Sequence, residues 1–130
     1  MIKLTVTGVD AFVNNIHQLT QQVELGGREG VQEAAEFILS RAQARAPVRT
    51  GLLKDSGKVV MGDGLEAFVS YGDDTVSFHC KKLTTNEYAV IVHEKPRKRP
   101  SIHYKWLELA LQENRELALE QMAQGVRRAL

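Results

Sequence analysis

The sequence predicts an α+β fold: an N-terminal strand and two helices, an antiparallel β-meander of about four strands, and a long C-terminal helix. Three observations lead there. Apolar residues recur at three- and four-residue spacing through residues 10–46. Short β-branched and aromatic runs alternate with glycines between about 47 and 94, and helical spacing returns beyond residue 103. At 130 residues, 43% hydrophobic and 25% charged, residues 1–130 read as a single domain able to bury a core without staples.

Ile2, Leu4 and Val6 alternate with Lys3, Thr5 and Thr7, the pattern of a half-buried strand that Gly8 ends. Asp10 then caps a first helix whose apolar positions are Phe12, Ile16, Leu19 and Val23, and Gly26-Gly27 stops it. A second helix, from about Glu29 to Ala46, carries the stripe Val31, Ala34, Ala35, Ile38, Leu39, Ala42 and Ala46; Pro47 ends it by excluding Ala46 from helical space. The runs 59–61, 67–71, 75–78 and 88–93 read as the strands of the meander, joined by Gly-Asp-Gly and Gly-Asp-Asp turns, with 81–86 as an exposed connection. From Ser101 or His103 a helix runs nearly to Leu130, with Glu108 early and Arg127-Arg128 in the last turn, as the helix dipole favours.

Charge and motif content exclude several classes of function. Seventeen Lys and Arg against sixteen Asp and Glu leave a formal charge of +1, which is no nucleic-acid coat, though it leaves room for a local basic patch. The lone cysteine, Cys80, forbids an internal disulfide and any multi-cysteine metal site, and with the apolar runs too short to span a bilayer the chain reads as soluble and kept in a reducing compartment. Among the four histidines, His79-Cys80 and His93-Glu94 are strand neighbours that point to opposite faces and cannot clasp one ion; His17 lies on the polar side of the first helix. There is no HExxH, phosphate-binding glycine loop or GxSxG elbow, so no catalytic residue, metal ligand or cofactor site is assigned.

Two surfaces stand out. Lys95, Arg97, Lys98 and Arg99 lie in one loop that carries Pro96 and Pro100, and with Arg41, Arg45 and Arg49 they are candidates for docking an acidic partner or DNA. On the C-terminal helix, Tyr104, Leu107, Leu111, Ala118, Met122, Val126 and Ala129 share one face, taken as the core contact. Trp106, Leu109, Ala110 and Leu117 project from the other and read as an oligomer interface.

The order of motifs carries a resemblance. Ala46-Pro47-Val48-Arg49-Thr50-Gly51-Leu52-Leu53 is similar to the "aPvrTGxLr" turn of the small neck and tail-completion proteins of long-tailed bacteriophages. Tyr88-Ala89 with His93-Glu94 is similar to their "YAxxVHE" piece and Leu107-Glu108-Leu109-Ala110-Leu111 to their "xLExAL" piece, so the likeness runs through most of residues 30–112. In that turn Pro47 fixes the helix exit, Thr50 bonds locally, Gly51 permits a positive φ and Leu52 re-enters the core. The chain departs from the pattern after the Tyr-Ala run, where the basic loop replaces a glycine-threonine. The resemblance implies a structural virion protein of the neck, made in the host cytoplasm, that joins the head connector to tail-tube or tail-terminator proteins. It further implies a homo-oligomeric ring of six or twelve subunits around a DNA passage, with no catalysis, small-molecule substrate or membrane. The alternative from another class is a small DNA- or RNA-binding protein using the loop 95–99.

Overall fold

In the computed structural model, residues 2–46, 51–73, 76–77, 83–94 and 104–130 are described, the backbone alone for 76, 77 and 83. The order is α1 (Val9–Arg45), α2 (Leu52–Asp55), β1 (Lys58–Met61), β2 (Ala67–Ser70), β3 (Val76–Ser77), β4 (Leu83–Thr84), α3 (Thr85–Glu94), α4 (Trp106–Glu113) and α5 (Arg115–Ala129). The fold is mixed but mostly helical. The expected N-terminal strand is absent: residues 2–7 have no regular structure, and Ile2, Leu4 and Val6 are exposed.

The largest correction concerns Gly26-Gly27. The two expected helices are one, 37 residues long, that runs straight through both glycines. Each glycine in a helix interior costs about 1 kcal/mol against alanine, so propensity alone favours a stop. Packing overrides it. Gly26, Gly27 and Gly30 are buried where α5 crosses antiparallel to α1. A Cβ on Gly125 would lie 2.5 Å from the Gly26 carbonyl oxygen and 2.6 Å from Gly30 Cα; one on Gly30 would lie 2.7 Å from the Met122 carbonyl oxygen. Only glycines admit that approach. Farther along, Ala34, Ile38 and Ala118 close the same seam, with Phe37, Val69 and Met122 packed on it. Ion pairs mark the rims, Glu33 to Arg128 at 2.8 Å and Arg45 to Glu113 at 2.7 Å. The end of α1 is as expected: Ala46 is extended at φ −61°, ψ 142°, ahead of Pro47. Its start differs, since Gly8 at φ 85° precedes Val9 and Asp10 sits inside the first turn rather than capping it.

The expected four-strand meander does not form: the described strands make two separate two-stranded sheets. β1 and β2 form an antiparallel hairpin pairing Val59 with Val69 and Val60 with Phe68 around the Gly62–Glu66 turn. Arg28 of α1 ties that turn down, donating to the carbonyls of Gly62 at 2.9 Å and Gly64 at 2.7 Å. β3 and β4 pair separately, Val76 with Thr84 and Ser77 with Leu83. The run 88–93, expected as a strand, is helical as part of α3. Its start is a capping box: the Thr84 amide donates to Glu87 Oε2 at 2.8 Å, and the Glu87 amide to Thr84 Oγ1 at 3.3 Å. Such a cap is worth about 1 kcal/mol, and burial of Thr85, Ala89 and Val92 follows helical spacing.

The C-terminal helix is two helices. Asn114 divides them, its side-chain amide donating to the Ala110 carbonyl at 2.9 Å and so competing with the main chain. A second core then forms where α1 ends: Ala42, Ala46, Leu53, Ala89, Val92, Trp106 and Ala110, flanked by Tyr71, Tyr88 and Leu107.

The glycine crossing generates a prediction. Gly125→Ala gains about 1 kcal/mol of helix propensity but forces backbone apart, which costs about 1–3 kcal/mol or more. Chemical denaturation should therefore show a net loss of stability in the variant, and an unchanged or raised midpoint would contradict the close approach.

Candidate assembly surfaces

The landmarks of the resemblance converge at the junction of α3 and α4. The Lys105 amide donates to the His93 carbonyl at 3.0 Å, which fastens the start of α4 to the end of α3. Lys105 itself is left-handed at φ 50°. Its ammonium bridges Glu108 at 2.8 Å and Glu94 at 3.2 Å, and those two carboxylates hold its pKa above the usual lysine range. Glu94 in turn accepts from His93 Nδ1 at 2.7 Å; that bond first, and Lys105 second, hold its carboxyl below the ordinary range. The imidazole packs edge-on against Trp106 with ring centroids 4.9 Å apart, and Tyr71 does the same from another side at 5.7 Å.

This geometry corrects the expected interface. Trp106 and Ala110 are each only 1% exposed, buried in the chain's own core, Leu109 is half-buried, and Leu117 alone of the four is open at 56%. The helical spacing was sound but the phase was misassigned. Trp106 begins α4, so it packs back over α3, and the break at Asn114 puts Leu117 in a different helix.

The docking arginines divide. Arg45 pairs with Glu113 within the chain, whereas Arg41 is exposed with its guanidinium 5.2 Å over the Phe37 ring. Arg49, Lys95, Arg97, Lys98 and Arg99 lie outside the described residues, as do Pro47, Thr50, His79, Cys80 and His103. Of the turn motif, Gly51 has φ 81° as expected and begins α2; Leu52 is half-buried and Leu53 enters the core.

Two features escaped the sequence reading. Beyond the glycine crossing, the first four and a half turns of α1 project past the end of α5. Val9, Phe12, Val13, Ile16 and Leu19, one helical stripe, are 42–65% exposed. The stripe itself was visible in the sequence; what it faces was not. The second is an open apolar groove of about 280 Å³ between α1, β2, α4 and α5, lined by Val31, Ile38, Val69, Leu111, Ala118 and Met122 among others. Among the described residues no group of His, Cys, Asp or Glu is arranged to hold a metal ion, and no helix is long and apolar enough to cross a membrane.

The model of a family described as "Bacteriophage HK97-gp10, putative tail-component" matches residues 10–109. The chain belongs to this HK97-gp10-like family. No curated protein and no solved structure matches it. Membership implies a structural tail component, carried in the virion and in contact with other virion proteins. The matched span takes in the projecting part of α1, the capped α3 and the start of α4, so the family region holds both the exposed stripe and the His93–Trp106 junction.

That junction supplies a pH test. The Tyr71 hydroxyl and the Trp106 indole N–H are buried with no hydrogen-bond partner among the described residues, and burial pushes the Tyr71 phenol up to about 12. An unfolded tyrosine ionises near pH 10, so above that pH the unfolded chain releases a proton the folded chain keeps, and stability falls as pH rises from about 10 to 12. Tyr71→Phe should flatten that alkaline loss in denaturation curves while folding as well as the parent at neutral pH. An unaltered alkaline profile would contradict the buried, unpartnered hydroxyl.

Proposed function

We propose that this HK97-gp10-like protein is a neck or tail-completion component that joins the phage head connector to the tail by assembling as a ring, without covalent chemistry. The observation that carries the reading is the family match over residues 10–109, together with an apolar helical stripe, all but Val9 within that span, that the described residues leave exposed. A lone exposed leucine is ordinary, but five part-exposed apolar residues at helical spacing form a patch of the kind that marks an interface. Subunits meeting head to tail through unlike surfaces close into a ring when the rotation allows, and six or twelve copies would match the symmetry the resemblance implies. Lys95, Arg97, Lys98 and Arg99 are assigned to docking on an acidic neighbour or lining the DNA passage.

A phage unable to make the protein tests this directly. Electron microscopy should find filled heads and finished tails apart from one another, and infectious titre down by orders of magnitude. Protein supplied in trans should restore joined particles, and the Lys95/Arg97/Lys98/Arg99→Ala variant should restore them poorly. Normal joining in its absence would overturn the neck assignment. Salt-sensitive copurification with nucleic acid, in a protein absent from particles, would favour the DNA- or RNA-binding alternative.

A further inference from the structure

The projecting stripe and the open groove are complementary and lie on one helix. Between Asp10 and Glu24 the arm carries no Lys, Arg, Asp or Glu, and His17 is its only titratable side chain. Among the described residues the groove's one charged lining side chain is Glu108, already bridged to Lys105 at 2.8 Å. Neither surface therefore brings an unpaired full charge into the other, which is the condition for burying both. The sizes agree as well. An enclosed apolar cavity of about 150 Å³ takes up benzene, so a groove of about 280 Å³ has room for the Phe12 ring and part of a second side chain. The exposed apolar residues of the arm, Val9, Phe12, Val13, Ile16 and Leu19, present roughly 500 Å², the larger part of the roughly 800 Å² that one partner contributes to a stable specific interface.

The arm cannot serve its own chain's groove. Val31 and Ile38 line the groove from the same continuous helix that carries Phe12 and Ile16, and a rigid helix does not fold back on itself. Nor can residues 1–7 reach it. From Gly8 to Val31 the helix spans about 35 Å, whereas seven extended residues cover at most about 25 Å.

We infer that the α1 arm of one subunit, led by Phe12 and Ile16, docks in the Val31–Ile38–Leu111–Met122 groove of a second copy of this chain. The contact is heterologous, arm to groove, so each subunit gives one and receives one, as a ring requires. The inference deepens the ring proposed above and rests on it.

Cysteine cross-linking between two separately purified variants tests the pairing, in a Cys80→Ser background. Phe12→Cys marks the arm, Leu111→Cys the groove rim, and Val90→Cys on α3 is an exposed control. The first two positions are 65% and 52% exposed, so neither substitution disturbs the core. Mixed under mild oxidation, Phe12→Cys and Leu111→Cys should form the mixed dimer several-fold above any pairing with Val90→Cys, and Ile16→Glu on the arm should abolish the excess. A mixed yield no higher than the control overturns the contact, as does preferential Phe12–Phe12 pairing, which would mean arms meet arms. Native mass separates this from the parent reading. Rings that persist in the Phe12→Glu/Ile16→Glu variant refute the arm contact and leave the ring standing. Mixed cross-links in a protein that forms only open chains confirm the contact and refute the ring.

Discussion

The fold depends on one close crossing. Gly26 and Gly30 of α1 meet Gly125 of α5 with no side chain between them, and that approach allows α1 to continue where its local sequence would end it. The helix content of the first 46 residues, the antiparallel pairing of α1 with the C-terminal pair and the direction of the arm all follow. Where the glycines end, the seam widens to accept Ala34, Ile38 and Ala118, then Ala42, Ala46, Leu53 and Trp106, so α1 keeps a small-residue face and the larger core side chains come mostly from the elements packed on it. Small residues dominate this interior, which places much of the cohesion in backbone proximity and one indole rather than in bulky aliphatic packing.

A second constraint works at the far end. α3 and α4 are fastened by the Lys105–His93 main-chain bond and by a small network of His93, Glu94, Lys105 and Glu108 over the Trp106 ring. Its charged groups are solvent-accessible, so its value lies in fixing orientation more than in Coulomb energy. The residues that look most distinctive in the sequence are thus architectural. They hold the body together, whereas the apolar stripe that stays exposed on α1 is plainer in sequence, flanked by Asn, Gln and Thr.

What could be read from the sequence divides by range of interaction. Some local rules held: Ala46, ahead of Pro47, is extended where α1 ends, Gly51 takes a positive φ, and Gly-Asp-Gly makes the β1–β2 turn, whereas Asp10 does not cap α1 and residues 2–7 form no strand. Readings that needed knowledge of the partner element failed. Gly26-Gly27 reads as a stop unless Gly125 is known to lie across it. Residues 88–93 read as a strand by composition, and only the Thr84–Glu87 box signals the helix. Trp106 reads as exposed when the C-terminal segment is drawn as one straight helix, because Asn114 offers little warning of the break. The family resemblance was legible because it rests on the order of short motifs, which survives errors in the secondary structure between them. The family model spans that order, from residue 10 to 109.

α1 is a single helix whose first turns stand clear of the body. Pulsed dipolar spectroscopy between spin labels at Asn14 and Ser40, both exposed and on either side of the glycine pair, measures this directly in a Cys80→Ser background. An unbroken helix puts the backbones of those positions about 39 Å apart, at 1.5 Å per residue over 26 residues. One narrow distance distribution near that value is the expected result. A broad or markedly shorter distribution would mean that the chain bends at Gly26-Gly27, and would contradict both the continuous helix and the arm it projects.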